Sequence, residues 1–256
     1  MLSQQAKDQL KKIRLKALVD ADDAIEGAGL ASGLSTQEYL DILIGHLFEA
    51  KMQTKLDNLI DEAGFADKGA CLENLCFDAD RGLDRNLIAE LSTGAYIARG
   101  HNILCLSPAG GGKTYLGCAF GLAACRQFVK VSYADCRDFV DELLIAKQDP
   151  KEHKKLVGKI SKIPLLIIDE WLGTELNVEA MDELFRVVDK RMRAKKSTIF
   201  CSQRMVDAWP AFMGGYLSAE SIVDRVKNNA YIIEIGGEIS MRERLMDEEL
   251  KRYARK

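Results

Sequence analysis

Two short stretches carry residue types suited to phosphoryl chemistry. The first, LSPAGGGKTYL over residues 106–116, nearly fits the phosphate-binding loop G-x-x-x-x-G-K-[ST]. Ser107 stands where that pattern starts with glycine. Gly110, Gly111 and Gly112 let backbone N–H groups converge on phosphate oxygens with no Cβ in the way. Lys113 offers a point charge to the β- and γ-phosphates, and Thr114 offers a hydroxyl ligand to Mg²⁺. Ser107, Pro108 and Ala109 complete the loop, and Tyr115 follows at the start of a helix whose N-terminal dipole favours anions. Serine at 107 would cost ~1–2 kcal/mol if the position needed a positive φ. It precedes Pro108, which drives it to extended backbone, so the serine is expected to be tolerated. A glycine-rich turn that merely joins a strand to a helix is the alternative.

The second stretch is LLIIDE, residues 165–170, an apolar run ending in two carboxylates. Following a phosphate-binding loop, this is the Walker B form: Asp169 for the metal shell, Glu170 to polarise a water as general base. Without the loop, such a pair would as readily cap the next helix. Gln203, at the end of STIFCSQ, could reach the γ-phosphate or the water, or could be an ordinary polar loop residue. Arg225 lies in a helical segment beyond the strands, and on its residues alone reads as a surface ion-pairing arginine.

These residues need a scaffold that sets them side by side. From about residue 100, short apolar runs alternate with helical ones. NILCL, VKVSYA, PLLIID, STIFCS and AYIIEI read as strands. TYLGCAFGLAACRQF, DCRDFVDELLIAKQ, NVEAMDELFRVVDKRMRAK, SAESIVDRVKNNA and the C-terminal SMRERLMDEELKRYARK read as helices. The fold class is therefore α/β, a central parallel sheet flanked by helices. The first third has no proline and reads as helical. One amphipathic helix is expected across Leu10, Ile13, Leu15, Leu18 and Val19. A second is expected after a capping box at Ser35 and Glu38, and a third, carrying Leu56, Leu59 and Ile60, ends at Gly64.

Composition is that of an ordinary globular chain: 256 residues, 47% hydrophobic, 29% charged, net charge −3. Residues 1–94 hold the acidic excess and the remainder a basic one, so contact with nucleic acid would need a local patch. Lys7, Lys11 and Arg14 would share one helix face, with Lys12 and Lys16 nearby, as a phosphate-contacting patch or a solvated face. Lys195, Lys196 and the tail Lys251, Arg252, Arg255 and Lys256 are further candidates. The seven cysteines form no C-x-x-C pair, which points to free thiols in a reducing cytoplasm. Cys71, Cys76, Cys118 and Cys125 read as packing thiols, and Trp171 as a packing or interface aromatic. The three histidines lack metal-ligand spacing. No apolar run approaches a membrane span or a signal sequence, so no membrane partner is expected.

RGLDRNLIAELSTGAYIARGHNILCLSPAGGGKTYLGCAFGLAACR, LLIIDEWLG, STIFCSQR and IVDRVKNNAYIIEIGGE, in that order, resemble the IstB/DnaC-like branch of the AAA+ ATPases, and most closely the IstB-type helper proteins of bacterial transposons. The resemblance covers nearly the whole chain and extends to the N-terminal IRLKAL. It implies an ATP- and Mg²⁺-dependent ATPase that forms a homo-oligomer on duplex DNA, with nucleotide at the subunit interfaces, and directs a partner transposase. It implies Asp169 and Glu170 as the Walker B pair, Gln203 near sensor 1, and Arg225 as an arginine finger reaching a neighbouring subunit. Under it, residues 1–80 are a helical domain for DNA or partner contact and assembly, and 81–256 the AAA+ domain. Four features depart from the family pattern: Ser107 where the loop usually begins with glycine, Gly111 near where it usually carries threonine or serine, glutamine rather than asparagine near sensor 1, and a nearly neutral EAKMQTKLDNLIDEAGF where arginines are common. A DnaC-like replicative helicase loader and a non-hydrolysing ATP-binding module are the competing readings. A small-molecule kinase is disfavoured, because adjacent Asp-Glu suits water activation better.

Overall fold

The computed structural model describes residues 1–30, 33–213, 219–237, 240–244 and 246. The chain divides into two compact units, Met1–Asn58 and Leu59–Lys256.

The first unit holds α1 (Gln4–Lys12), α2 (Lys16–Gly27) and most of α3 (Thr36–Ala63). The single helix expected over Leu10–Val19 is broken: Arg14 takes a left-handed φ of 62°, and α1 folds back on α2. The reversal brings Lys7 Nζ to 2.9 Å from Asp22 and 2.6 Å from Asp23, both on α2. Asp22 is fully buried and also accepts the Leu2 N–H and the Tyr39 hydroxyl. The expected basic face therefore does not form: Arg14 lies beyond α1, and Lys7 already has carboxylate partners. The helices expected after Ser35 and up to Gly64 are one 28-residue helix. Its start is the expected capping box, with Glu38 Oε2 2.8 Å from the Ser35 N–H. It ends at Ala63, and Gly64 takes the left-handed turn (φ 75°).

The second unit continues with α4 (Arg85–Ser92), α5 (Ala95–Arg99), β1 (Asn102–Leu106), α6 (Lys113–Arg126), β2 (Val131–Asp135) and α7 (Cys136–Lys147). There follow α8 (Pro150–Ile160), β3 (Leu165–Asp169), α9 (Val178–Arg193), β4 (Ser197–Ser202), α10 (Trp209–Phe212), α11 (Ala219–Asn228) and β5 (Ala230–Glu234). The five strands form one sheet, every pairing parallel, in the order β2-β3-β4-β1-β5. Helix α8 was not expected from hydrophobic period. Its signal is at its start, where Asp149 caps Lys151 N–H and Pro150 occupies the first turn. Of the expected C-terminal helix, residues 241–244 are helical and most of the remainder lies outside the described residues.

β1, β3 and β4 are buried along their whole length, as apolar parallel strands covered on both faces must be. Trp171 is a packing residue: it is 1% exposed, with its ring 4.7 Å from Phe200 and 5.7 Å from Trp209. Among the described residues no helix is long and apolar enough to cross a membrane. Because all strands run the same way, their carboxyl ends share one edge. β3, β4 and β1 are consecutive there, so the sequels of three separate motifs emerge side by side.

Arg191, fully buried on α9, ties this frame together. Its guanidinium donates to the carbonyls of Ile160 (2.7 Å), Ile163 (2.9 Å) and Ser197, and to the Thr198 hydroxyl (3.0 Å). Those carbonyls would lose their donor in Arg191→Met. The substitution should cost about 3–4 kcal/mol in urea unfolding, and a loss under 1 kcal/mol would contradict this account.

Candidate nucleotide site

The loop between β1 and α6 folds as a phosphate cradle. Gly110 (φ 78°) and Gly112 (φ 93°) take left-handed conformations, and Gly112 leads directly into α6. Ser107 does not: it is absent from the positive-φ residues, as its position before Pro108 dictates. It is buried, its N–H donates to Ser202 O (3.1 Å), and its hydroxyl donates to Pro108 O (2.8 Å). Pro108 and Ala109 form the exposed tip.

Ser107 has a price at another position. A Cβ built on Gly111 would lie against the Ser107 hydroxyl and 2.8 Å from Ser107 Cβ. Rotating the hydroxyl away leaves the second clash in place. Serine at 107 therefore requires glycine at 111, and the two departures from the usual loop are one steric arrangement.

The carboxyl ends of β1, β4 and β3 deliver Lys113, Gln203 and Glu170 to one point. Lys113, 5% exposed, places Nζ 3.0 Å from Glu170 Oε1. Gln203 Nε2 donates to the other carboxylate oxygen at 2.8 Å. Burial works to raise the Glu170 carboxyl, but the hydrogen bonds from Gln203 and Lys113 outweigh it and hold the group below the usual glutamate range. Glu170 and Leu172 both have left-handed backbone (φ 51° and 54°), strain of ~1–2 kcal/mol each. The burial of Trp171 and Leu172 and a 2.8 Å hydrogen bond from Trp171 N–H to Cys201 O hold the turn.

Asp169 stands behind this pair, 3% exposed. Tyr133, in the middle of β2, donates its hydroxyl to Asp169 Oδ2 (2.8 Å), and Glu170 N–H donates to Oδ1 (2.9 Å). Burial and the adjacent carboxylate push the Tyr133 phenol up, so it stays a neutral donor. Among the described residues no cationic side chain pairs with Asp169. A buried carboxylate with no cationic partner, together with the Thr114 hydroxyl at the start of α6, is a hard-oxygen donor set that fits Mg²⁺.

Lys113, Thr114 and Glu170 open onto a cavity of about 550 Å³. Lys113, Thr114, Tyr115 and Glu170 line it together with Asp67, Asn74, Arg81 and Arg242, and Leu75, Cys76, Leu83, Ile235 and Met241 give it an apolar wall. Tyr115 also anchors that wall, since its hydroxyl accepts Cys71 N–H (3.1 Å) and donates to Cys71 O (3.2 Å). The size and the mixed lining suit a nucleotide, base against the wall and phosphates at the loop. Cys118 and Cys125 are core thiols, as expected, whereas Cys76 faces the cavity.

Arg225 is not brought to this cavity within the chain. Its guanidinium pairs with Asp189 on α9 at 3.1 Å, on an exposed face. Lys195 is exposed and Lys196 half-buried, while the basic tail 251–256 lies outside the described residues. The residue reading missed Tyr133, Arg81 (which donates to Gly111 O at 2.8 Å) and the wall from residues 66–83.

Comparison with known proteins decides the family. The sequence model of the IstB-like ATP binding protein matches residues 8–248. The chain belongs to the IstB-like ATP-binding family. It is 30% identical over 238 residues to the insertion sequence ATP-binding protein y4pL of Sinorhizobium fredii, covering 93% of this chain and 96% of that one. It is 32% identical over 203 residues to the IS1162 ATP-binding protein of Pseudomonas fluorescens, covering 79% and 87%. Among solved structures, AMPPCP-bound DnaA from Aquifex aeolicus superposes with a TM-score of 0.57 at 21% identity over 74% of this chain and 57% of that one. DnaI superposes at 0.51 with 24% identity, over 66% and 89%. The fold of this IstB-like chain is that of the AAA+ P-loop ATPases.

Two measurements follow. Gly111→Ala should destabilise the protein by about 1–3 kcal/mol, and Ser107→Gly/Gly111→Ala should recover most of that loss in urea unfolding. Additive effects would refute the coupling. A depressed carboxyl remains ionised as pH falls through the ordinary glutamate range, so the Lys113–Glu170 pair persists there and is lost only below it. In Gln203→Ala the Glu170 carboxyl midpoint, followed by NMR, should move up; an unmoved midpoint would show that Gln203 does not hold it.

Proposed function

We propose that this IstB-like protein is an ATP-dependent, DNA-binding helper of transposition. It oligomerises on duplex DNA with ATP at the subunit interfaces, hydrolyses ATP to ADP and phosphate, and directs a partner transposase. The observation that carries the reading is the meeting of Lys113, Glu170 and Gln203 beside a glycine cradle. The names of the family and its relatives support the setting: ATP binding within insertion sequences.

In this reading the triphosphate lies on the amides of 110–113 and takes Lys113 as its counter-charge. Lys113 thereby leaves Glu170, which Gln203 keeps oriented. Glu170, relieved of its cation, accepts a proton from the attacking water. Thr114 and Asp169 would hold Mg²⁺, which would supply positive charge against the phosphates. Arg225 exchanges Asp189 for the γ-phosphate of a neighbouring subunit, and assembly and nucleotide binding are then linked.

Glu170→Gln should retain ATP binding, lower phosphate release by roughly 10²–10⁴-fold, and accumulate assemblies on duplex DNA in mass photometry. Lys113→Ala should lose both binding and assembly. A Glu170→Gln protein that stays monomeric with ATP and duplex DNA would defeat the proposal. Affinity capture that returned a replicative helicase in place of a transposase would reassign the partner.

A further inference from the structure

Arg81 is the buried cation that the phosphate-loop chemistry leaves unused. It closes a short 3-10 turn, Ala79–Arg81, which Gly82 leaves in left-handed conformation (φ 64°). That turn is clamped to the segment after β5: Arg81 O accepts Gly236 N–H at 2.9 Å, and a Cβ on Gly236 would meet Asp80 O at 2.7 Å. The backbone of Arg81 is thus fixed, and its side chain runs to the phosphate loop. Nη2 donates to Gly111 O at 2.8 Å and lies 3.4 Å from where a Gly112 Cβ would sit.

Three features set this arginine apart from a residue that only ties a loop. It is 4% exposed, yet it lines the cavity between the apolar wall and the glycine cradle. Its Nε is buried without a hydrogen-bond partner. Among the described residues no carboxylate forms an ion pair with it, although Asp78 and Asp80 are close in sequence. Both of those are taken by Arg244. A guanidinium withdrawn from water with neither counter-ion nor full hydrogen bonding is costly unless an anion completes the site. The loop it touches is the one built for anions.

We propose that Arg81 is a nucleotide-contact residue that supplies counter-charge to the phosphates nearest the ribose, where the cavity wall meets the loop. This rests on the nucleotide reading above. The ligand class is a nucleoside di- or triphosphate, because the contact falls on phosphates that ADP and ATP share. Nη2 keeps the Gly111 carbonyl turned out of the cradle, and the guanidinium N–H groups that open onto the cavity meet phosphate oxygen.

The test joins calorimetry of MgATP and MgADP with the melting temperature of the nucleotide-free protein, in wild type, Arg81→Met and Arg81→Lys. A charge-assisted contact predicts that Arg81→Met weakens ATP and ADP alike, by roughly 10- to 100-fold. Its nucleotide-free melting temperature should be unchanged or raised, because an unpaired buried charge has been removed. Arg81→Lys should recover part of the affinity. Affinity unchanged in Arg81→Met, with wild type binding normally, would overturn the role of Arg81 alone. Weakened binding with an equally destabilised nucleotide-free protein and no recovery in Arg81→Lys would reduce Arg81 to a loop tie and also overturn it. A wild type that binds neither nucleotide would overturn the nucleotide reading itself, and this inference with it.

Discussion

Lys113 and Glu170 follow β1 and β3, two strands that never touch because β4 runs between them. Their 3.0 Å ion pair therefore spans a strand, and Gln203, at the end of that intervening strand, completes it from the middle. Everything else in the site serves this geometry. The parallel sheet aligns the three carboxyl ends. The left-handed turn at Glu170 swings its carboxylate away from the strand direction, and the packing of Trp171 among Phe200 and Trp209 keeps that turn from relaxing. Arg191 fixes the far ends of β3 and β4, so the near ends cannot drift apart.

The pair also explains how a lysine can be buried at this position. Lys113 is nearly fully buried, and a buried ammonium without a partner would be strongly disfavoured. Glu170 meets that need at modest exposure, where its own desolvation is incomplete. The arrangement is exchangeable: a phosphate oxygen can take the carboxylate's place without either charge being stranded, because the glutamate remains hydrogen-bonded to Gln203.

Most of this centre was legible in the sequence because its parts are local. GGGKT and LLIIDE each concentrate glycines, charge and apolar run within a few residues, and strand identity followed from short apolar runs between helical periods. The contacts that were not legible join distant segments. Tyr133 on β2 is in register with Ile167 on β3 and reaches Asp169, two residues further along, diagonally, and Arg81 reaches Gly111 across thirty positions, with no spacing rule to announce either. The cavity wall from residues 66–83 carries mostly 3-10 turns and loops, which have no period to detect. The break at Arg14 was hidden for a different reason. No glycine or proline marks it, and it is held by the tertiary attraction of Lys7 to the acidic residues of α2.

The interlock of Ser107 with Gly111 restricts how such a loop can change. A loop with glycine first and a side chain at the fourth following position cannot reach the present form by gaining serine at 107 while that side chain remains, because the two would occupy the same space. The permitted route runs through a double-glycine intermediate, so loss at 111 must come before gain at 107. The reverse journey has the same bottleneck: the serine has to depart before any larger residue arrives. Sterics thus fix the order in which the two positions can change, whichever way the loop is altered, one substitution serving as a gate for the other.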